Sequence, residues 1–170
     1  MASTPRIPKA EITGFYGWML KRLSRRHLGE VPEAAGVMWH NRAVLFSSMG
    51  FGRKVEKWDQ LDPNLKTFAH MAVASLVGCS WCLDFNYFQA HNEGLDEAKA
   101  SEVPTRVTGG HSAQRLKKAG APALVELTAL VGFANSTTRG NTALGIESQG
   151  FSKACNLPLA QPSARSAASA

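Results

Sequence analysis

Apolar residues recur along this chain at intervals of three and four, the spacing that lines one face of an α-helix, and no alternating run is long enough for a convincing strand. Ile12, Phe15, Met19, Leu20 and Leu23 mark a first helical face. The basic group Lys21, Arg22, Arg25 and Arg26 follows it, which suits the negative end of a helix dipole. The stripe is read as a helix packed on a core rather than one lying on a membrane, because interfacial helices carry basic residues along their whole polar face. Pro32 suits the first position of a second helix bearing Val37, Trp39, Val44, Leu45 and Met49, which Gly50 and Gly52 are expected to break.

Asp62-Pro63 is a start signal, an N-cap acceptor followed by a residue whose φ already suits a helix. Leu65, Phe68, Ala69, Ala72, Val73 and Leu76 give that helix its expected buried stripe, and Gly78 can end it in the left-handed conformation. Cys79 then opens a helix running to about His91 and closing at Gly94. Asp96 can cap a short helix to about Val103; residues 104–111, with Gly109-Gly110, read as a loop, and 112–118 as a turn or two of helix. Pro122 starts a long helix through Leu124, Leu127, Val131 and Ala134, with a polar stretch from Asn135 to Asn141. The expected fold is therefore all-α, a compact helical bundle over residues 11–157. A flexible 1–10 precedes it, and a disordered tail, 158–170, follows; the tail's Ala, Ser, Pro and Gln bury too little to offset the entropy of ordering.

A chain of 170 residues suits one domain and can bury roughly two-thirds of its unfolded surface. At 44% hydrophobic and 19% charged it is neither disordered throughout nor a membrane protein, and no apolar run approaches bilayer length. The formal charge of +6 comes largely from the first basic run and from Arg115, Lys117 and Lys118, and is read as solvated surface rather than a nucleic-acid site. Residues 1–10 lack the apolar core of a secretory signal, and three cysteines make a poor disulfide framework. A reducing, cytoplasmic setting is expected.

In such a compartment Cys79-Ser80-Trp81-Cys82 points to redox or metal chemistry. Two thiols separated by two residues at a helix start are within reach of a disulfide, and free amides at that end favour a thiolate. The same spacing is half of a zinc site, but no second pair completes it, and Cys155, His70, His91 and His111 are scattered. The alternative is that both cysteines are small buried hydrophobes, with raised pKa and no reactivity.

The segment 65–95 resembles the core of the carboxymuconolactone decarboxylase and alkyl hydroperoxidase D-like family. The likeness lies in a helix, the turn Gly78-Cys79-Ser80-Trp81-Cys82, and a second helix with Ala90 and Gly94-Leu95. It is strongest over 61–103, and weaker from Val37 onward and over 123–159. The resemblance implies that Cys82 is the attacking thiolate and Cys79 the resolving one, with a small peroxide or a disulfide as substrate, a dithiol as reductant and no cofactor. It also implies a homo-oligomer, and one helix of the family's bundle is missing or shortened between Val103 and Ala123.

The family's proton relay places a Glu twelve residues before the first cysteine and a His four after the second; here those positions hold Thr67 and Asn86, neither of which takes a proton at neutral pH. His70, one turn from Thr67 on the same face, is the expected substitute base. Asn135, Ser136, Arg139 and Asn141 either face the thiols, where they would suit an acidic substrate, or satisfy backbone near a helix end. The expected function is thus a thiol-dependent oxidoreductase. A non-catalytic helical scaffold and a decarboxylase-like enzyme independent of the cysteines stand as alternatives.

Overall fold

The computed structural model describes residues 6–92, 94 and 111–154. It is an all-helical bundle, with no strand among the described residues. The helices are α1 (Gly14–Leu28), α2 (Glu33–Met38), α3 (Arg42–Glu56), α4 (Pro63–Val77), α5 (Ser80–Asn92) and α6 (His111–Ala143), with 3₁₀ turns at Trp39–Asn41 and Phe151–Ala154. The short helix expected from Asp96, most of the 104–111 loop and the 158–170 tail lie outside the described residues.

Local chemistry sets the α4–α5 hairpin. The Asp62 side chain accepts from the amides of Asn64 and Leu65, and Pro63 takes the first helical position. Fifteen residues later Gly78 turns left-handed (φ 81°, ψ 25°), and the amides of Gly78 and Cys79 both return to the Ala74 carbonyl. Only a residue without Cβ takes that conformation cheaply, so the glycine fixes where α4 stops and where Cys79 stands. α4 packs chiefly on α6 and α5. Met71, Ala74, Cys79, Cys82, Leu83 and Tyr87 form the central core, with Phe68, Ala72 and Trp81 against it. The expected stripe was rotated slightly: Leu76 is exposed, while Met71 and Ala74 face inward.

Gly50 and Gly52 do not break a helix. The break comes earlier, where Asn41 caps α3 by accepting from the Val44 amide, and α3 then runs through both glycines to Glu56. A mid-helix glycine costs only about 1 kcal/mol, less than burying Leu45 and Val55 returns. In α6 the helical path is interrupted at Gly120 (φ 79°, ψ 171°), two residues before Pro122. Beyond it the inward face is Ala123, Glu126, Leu130, Ala134, Thr138 and Asn141, and Leu124 is exposed. Glu126 is paired with Lys66 of α4 and accepts from the Gln60 amide, joining the α3–α4 connection to α6.

α1 corrects a larger expectation. Ile12 is buried and Leu20 packs against its cluster as expected, but the buried residues of α1 itself are Gly17 and Ser24, whereas Phe15 (70% exposed), Met19 and Leu23 are exposed with Tyr16 and Trp18. Close approach explains this: a Cβ on Gly17 would stand 2.9 Å from Ile12 Cγ2 and 3.2 Å from the Trp39 ring, so the small residue must face in. A cavity of about 720 Å³ opens between α1, α3 and α5, lined by Tyr16, Met19, Leu23, Phe46, Met49 and Phe85 among others.

Residues 6–10, expected to be flexible, are tied down. The Arg6 amide donates to Leu144 O, the Ala10 amide to Gly36 O, the His40 ring contacts Pro8 O, and Lys9 pairs with Glu33. The chain after α6 is tied down too. Ile146 is buried beside Val37 and Ala34, and residues 148–152 fold onto α5. There Asp84, with no exposed surface, accepts from the Ser148 hydroxyl, the Gly150 and Phe151 amides, and the amide and hydroxyl of Ser152. Burial alone would raise the Asp84 pKa, but the bonds from Ser152, Ser148 and Gly150 hold it below its ordinary 3.8.

Asp84→Ala leaves those donors without an acceptor and is expected to destabilise the fold by about 3 kcal/mol, measured as an earlier urea midpoint; an unmoved midpoint would show that the strap does not depend on the carboxylate. Because the folded pKa is depressed, this stabilisation is full above the unfolded value and is lost as pH falls through the lower folded one.

Candidate functional site

The two sulfurs of the C-x-x-C are joined. Cys79 stands just before α5 and Cys82 in its first turn, with Cα atoms 5.3 Å apart, within the normal range for a disulfide. The Cys82 amide donates to Cys79 Sγ at 3.2 Å, so the first cysteine takes the position of an N-cap acceptor. The side-chain amide of Asn141, from α6, reaches Cys82 Sγ at 3.4 Å. Both cysteines are 1% exposed, enclosed by Met71, Ala74, Leu83 and Tyr87, with Phe68, Ala72 and Trp81 around them. The α1–α3–α5 cavity is lined by Phe85 and Gln89 of α5 but by neither cysteine.

The strap 146–152 closes the approach over Trp81. Ser80 Oγ accepts from the Ser148 amide, and Trp81 Nε1 donates to Gln149 Oε1 at 3.4 Å. Gln149 in turn joins the Glu33 amide and Val31 O, so the strap is bonded on one side to α5 and on the other to the start of α2. The Trp81 ring stacks on Phe85 with centroids 4.8 Å apart.

The side chains of Thr67 and Asn86 are both engaged locally. Thr67 Oγ1 donates to Pro63 O, and Asn86 Nδ2 to Cys82 O at 2.6 Å, each one turn back along its own helix. His70 is turned toward α6, with Nε2 3.5 Å from Thr137 Oγ1 and its ring 6.0 Å from that of Phe133. Burial lowers its pKa from 6.5 to about 4, so at neutral pH the imidazole is uncharged and only a weak proton acceptor. Of Asn135, Ser136, Arg139 and Asn141, only Asn141 reaches the sulfurs. Asn135 Nδ2 bonds Val131 O, Arg139 bonds Asn135 Oδ1, and Ser136 and Arg139 are exposed. Among the described residues no three His, Cys, Asp or Glu side chains converge as a metal site requires, and Cys155 lies outside them.

Asp84 was not singled out from the sequence, although an acid between Leu83 and Phe85 on an apolar helix was the available signal. It fixes the helix and strap that flank the thiols and does not touch the sulfurs.

No family model matches the chain, and no solved structure matches it. It is similar to the uncharacterized protein YnjA of Escherichia coli (strain K12), 28% identical in an alignment that covers 80% of this chain and 88% of that one.

A histidine held neutral in the folded chain makes stability fall on acidification. The unfolded chain takes up the proton below about pH 6.5, while the folded chain resists until about pH 4, so unfolding is favoured progressively between those values, by on the order of 3 kcal/mol at the acid end. His70→Gln is expected to flatten that part of the stability profile, measured by urea titrations across it; an unchanged slope would place the acid sensitivity elsewhere.

Proposed function

We propose that this protein is a cytoplasmic thiol-dependent oxidoreductase of the carboxymuconolactone decarboxylase and alkyl hydroperoxidase D-like kind, acting on a small peroxide or a disulfide. The observation that carries the reading is the bonded pair Cys79–Cys82 at the start of α5 with an amide donor on each sulfur. A backbone amide and a side-chain amide aimed at sulfur stabilise its ionised form, which is the nucleophile. With a peroxide ROOH, the Cys82 thiolate attacks one oxygen, the O–O bond breaks, and ROH leaves after protonation while Cys82 becomes a sulfenic acid. The Cys79 thiol then attacks that sulfur, forming the disulfide and releasing water. A dithiol donor restores the pair by exchange, supplying two electrons and itself becoming a disulfide.

Thr67 and Asn86 accept no proton, so the thiol proton goes to water or to another base, and turnover is expected to be slow. His70 remains a candidate for that base, weakened by its burial. The enclosed sulfurs require their surroundings to open before a substrate reaches them, which favours small peroxides and locally driven exchange. That same enclosure favours a second reading, a non-catalytic helical scaffold whose buried cysteines are small apolar packing groups with no reactivity.

Pre-reduced protein treated with mild peroxide separates the two readings by mass spectrometry. The expected result is a Cys79–Cys82 bond in the parent, a persistent Cys82 oxygen adduct in Cys79→Ser, and little oxidation of Cys79 in Cys82→Ser. Failure of the parent to form the bond would leave only the scaffold. The outward Phe15, Tyr16 and Trp18 support the further proposal of a homo-oligomer. Light scattering is expected to return a multiple of 18.3 kDa, and a monomer mass alone would refute it.

A further inference from the structure

Asn141 is separated from Cys82 by 59 positions in sequence, yet its Nδ2 lies 3.4 Å from Cys82 Sγ in a buried setting. The two donors at the pair are divided: the α5 amide serves Cys79 Sγ and the α6 side chain serves Cys82 Sγ. A disulfide sulfur is a weak acceptor, and a buried amide gains little by facing one. Facing a thiolate, the same N–H makes a charge-assisted hydrogen bond, roughly twice as strong as a neutral one.

We propose that Asn141 is the donor that holds Cys82 Sγ as a thiolate in the reduced protein. The inference rests on the thiol reading above and assigns a group that stabilises the ionised form of Cys82 in the absence of the family's histidine. Enclosure by Met71, Leu83 and Tyr87 disfavours an ion, and without a compensating donor Cys82 would remain a neutral, unreactive thiol. Asn141 supplies that donor and accepts no proton: the step is Cys82–SH giving Cys82–S⁻ and a proton released to water, with no electron transferred. The side chain is well placed to do this. Its helix face also carries Ala134 and Thr138, both without exposed surface, and the backbone carbonyl of Asn141 accepts the Ile146 amide at 3.0 Å, so the strap locks the end of α6.

The test uses the full chain, reduced, with Cys79 and Cys155 changed to Ser so that only Cys82 ionises, and follows ultraviolet thiolate absorbance against pH. Asn141→Ala is expected to raise the Cys82 pKa by about one unit, a tenfold smaller thiolate-to-thiol ratio below the pKa. Asn141→Asp, close in shape but bringing a negative charge, is expected to raise it further; Asn141→His, which retains a donor, is expected to restore part of the loss. Circular dichroism of each variant establishes that it is folded, and should Asn141→Ala fail to fold, the Asp and His variants decide the question. An Asn141→Asp pKa equal to the parent's, or Ala and His variants equal to each other, overturns the role of Asn141 while leaving the thiol reading intact. A Cys82 pKa in this background at or above that of an ordinary thiol, with no Cys79–Cys82 bond formed by the unsubstituted chain under mild peroxide, overturns the thiol reading and this inference with it.

Discussion

One carboxylate organises the half of the molecule that holds the cysteines. Asp84 sits on α5 a half-turn beyond Cys82, out of reach of solvent, and draws the chain at 148–152 onto the helix through hydroxyl and amide donors. A buried charge is tolerated only when its oxygens are fully served, so the strap has to return from the end of α6 to this place. Its return seats Ile146 against α2, sets Gln149 on the Trp81 indole, and fixes the Asn141 carbonyl. The surroundings of the sulfurs thus depend on a residue that contacts neither of them.

The parts that were legible in the sequence share a local cause. Asp62-Pro63, Gly78 and the cysteines at 79 and 82 each act on neighbours within four residues, and the α4–α5 hairpin follows from them almost unaltered. Its helical class followed from spacing in the same way. What escaped was long-range. Nothing near Asp84 states that its donors lie more than sixty residues on, and nothing near Asn141 distinguishes it from Asn135, which satisfies its own helix. Much of the face expected of α1 turned outward for a different reason. Periodicity locates an apolar face but not the neighbour it meets, and at Gly17 the steric demand of Ile12 and Trp39 decided the rotation.

The pair itself combines two tendencies that usually separate. Amides on both sulfurs favour reactive thiolates, while one per cent exposure favours inert ones. The balance is set by how readily the shell loosens, and that shell is built of both kinds of contact. Met71, Ala74 and Leu83 contribute apolar packing, whereas the strap is held by hydrogen bonds to Asp84, Ser80 and Trp81.

Trp81 occupies one of the two positions between the cysteines, packed against their cluster and stacked on Phe85. An indole so close to a disulfide loses excited-state energy to it by electron transfer, a path that closes when the sulfurs separate. Trp81, one of four tryptophans, is thus placed as an internal optical gauge: its share of the emission is expected to dim while the bond is made and to brighten when it is broken, without any added label.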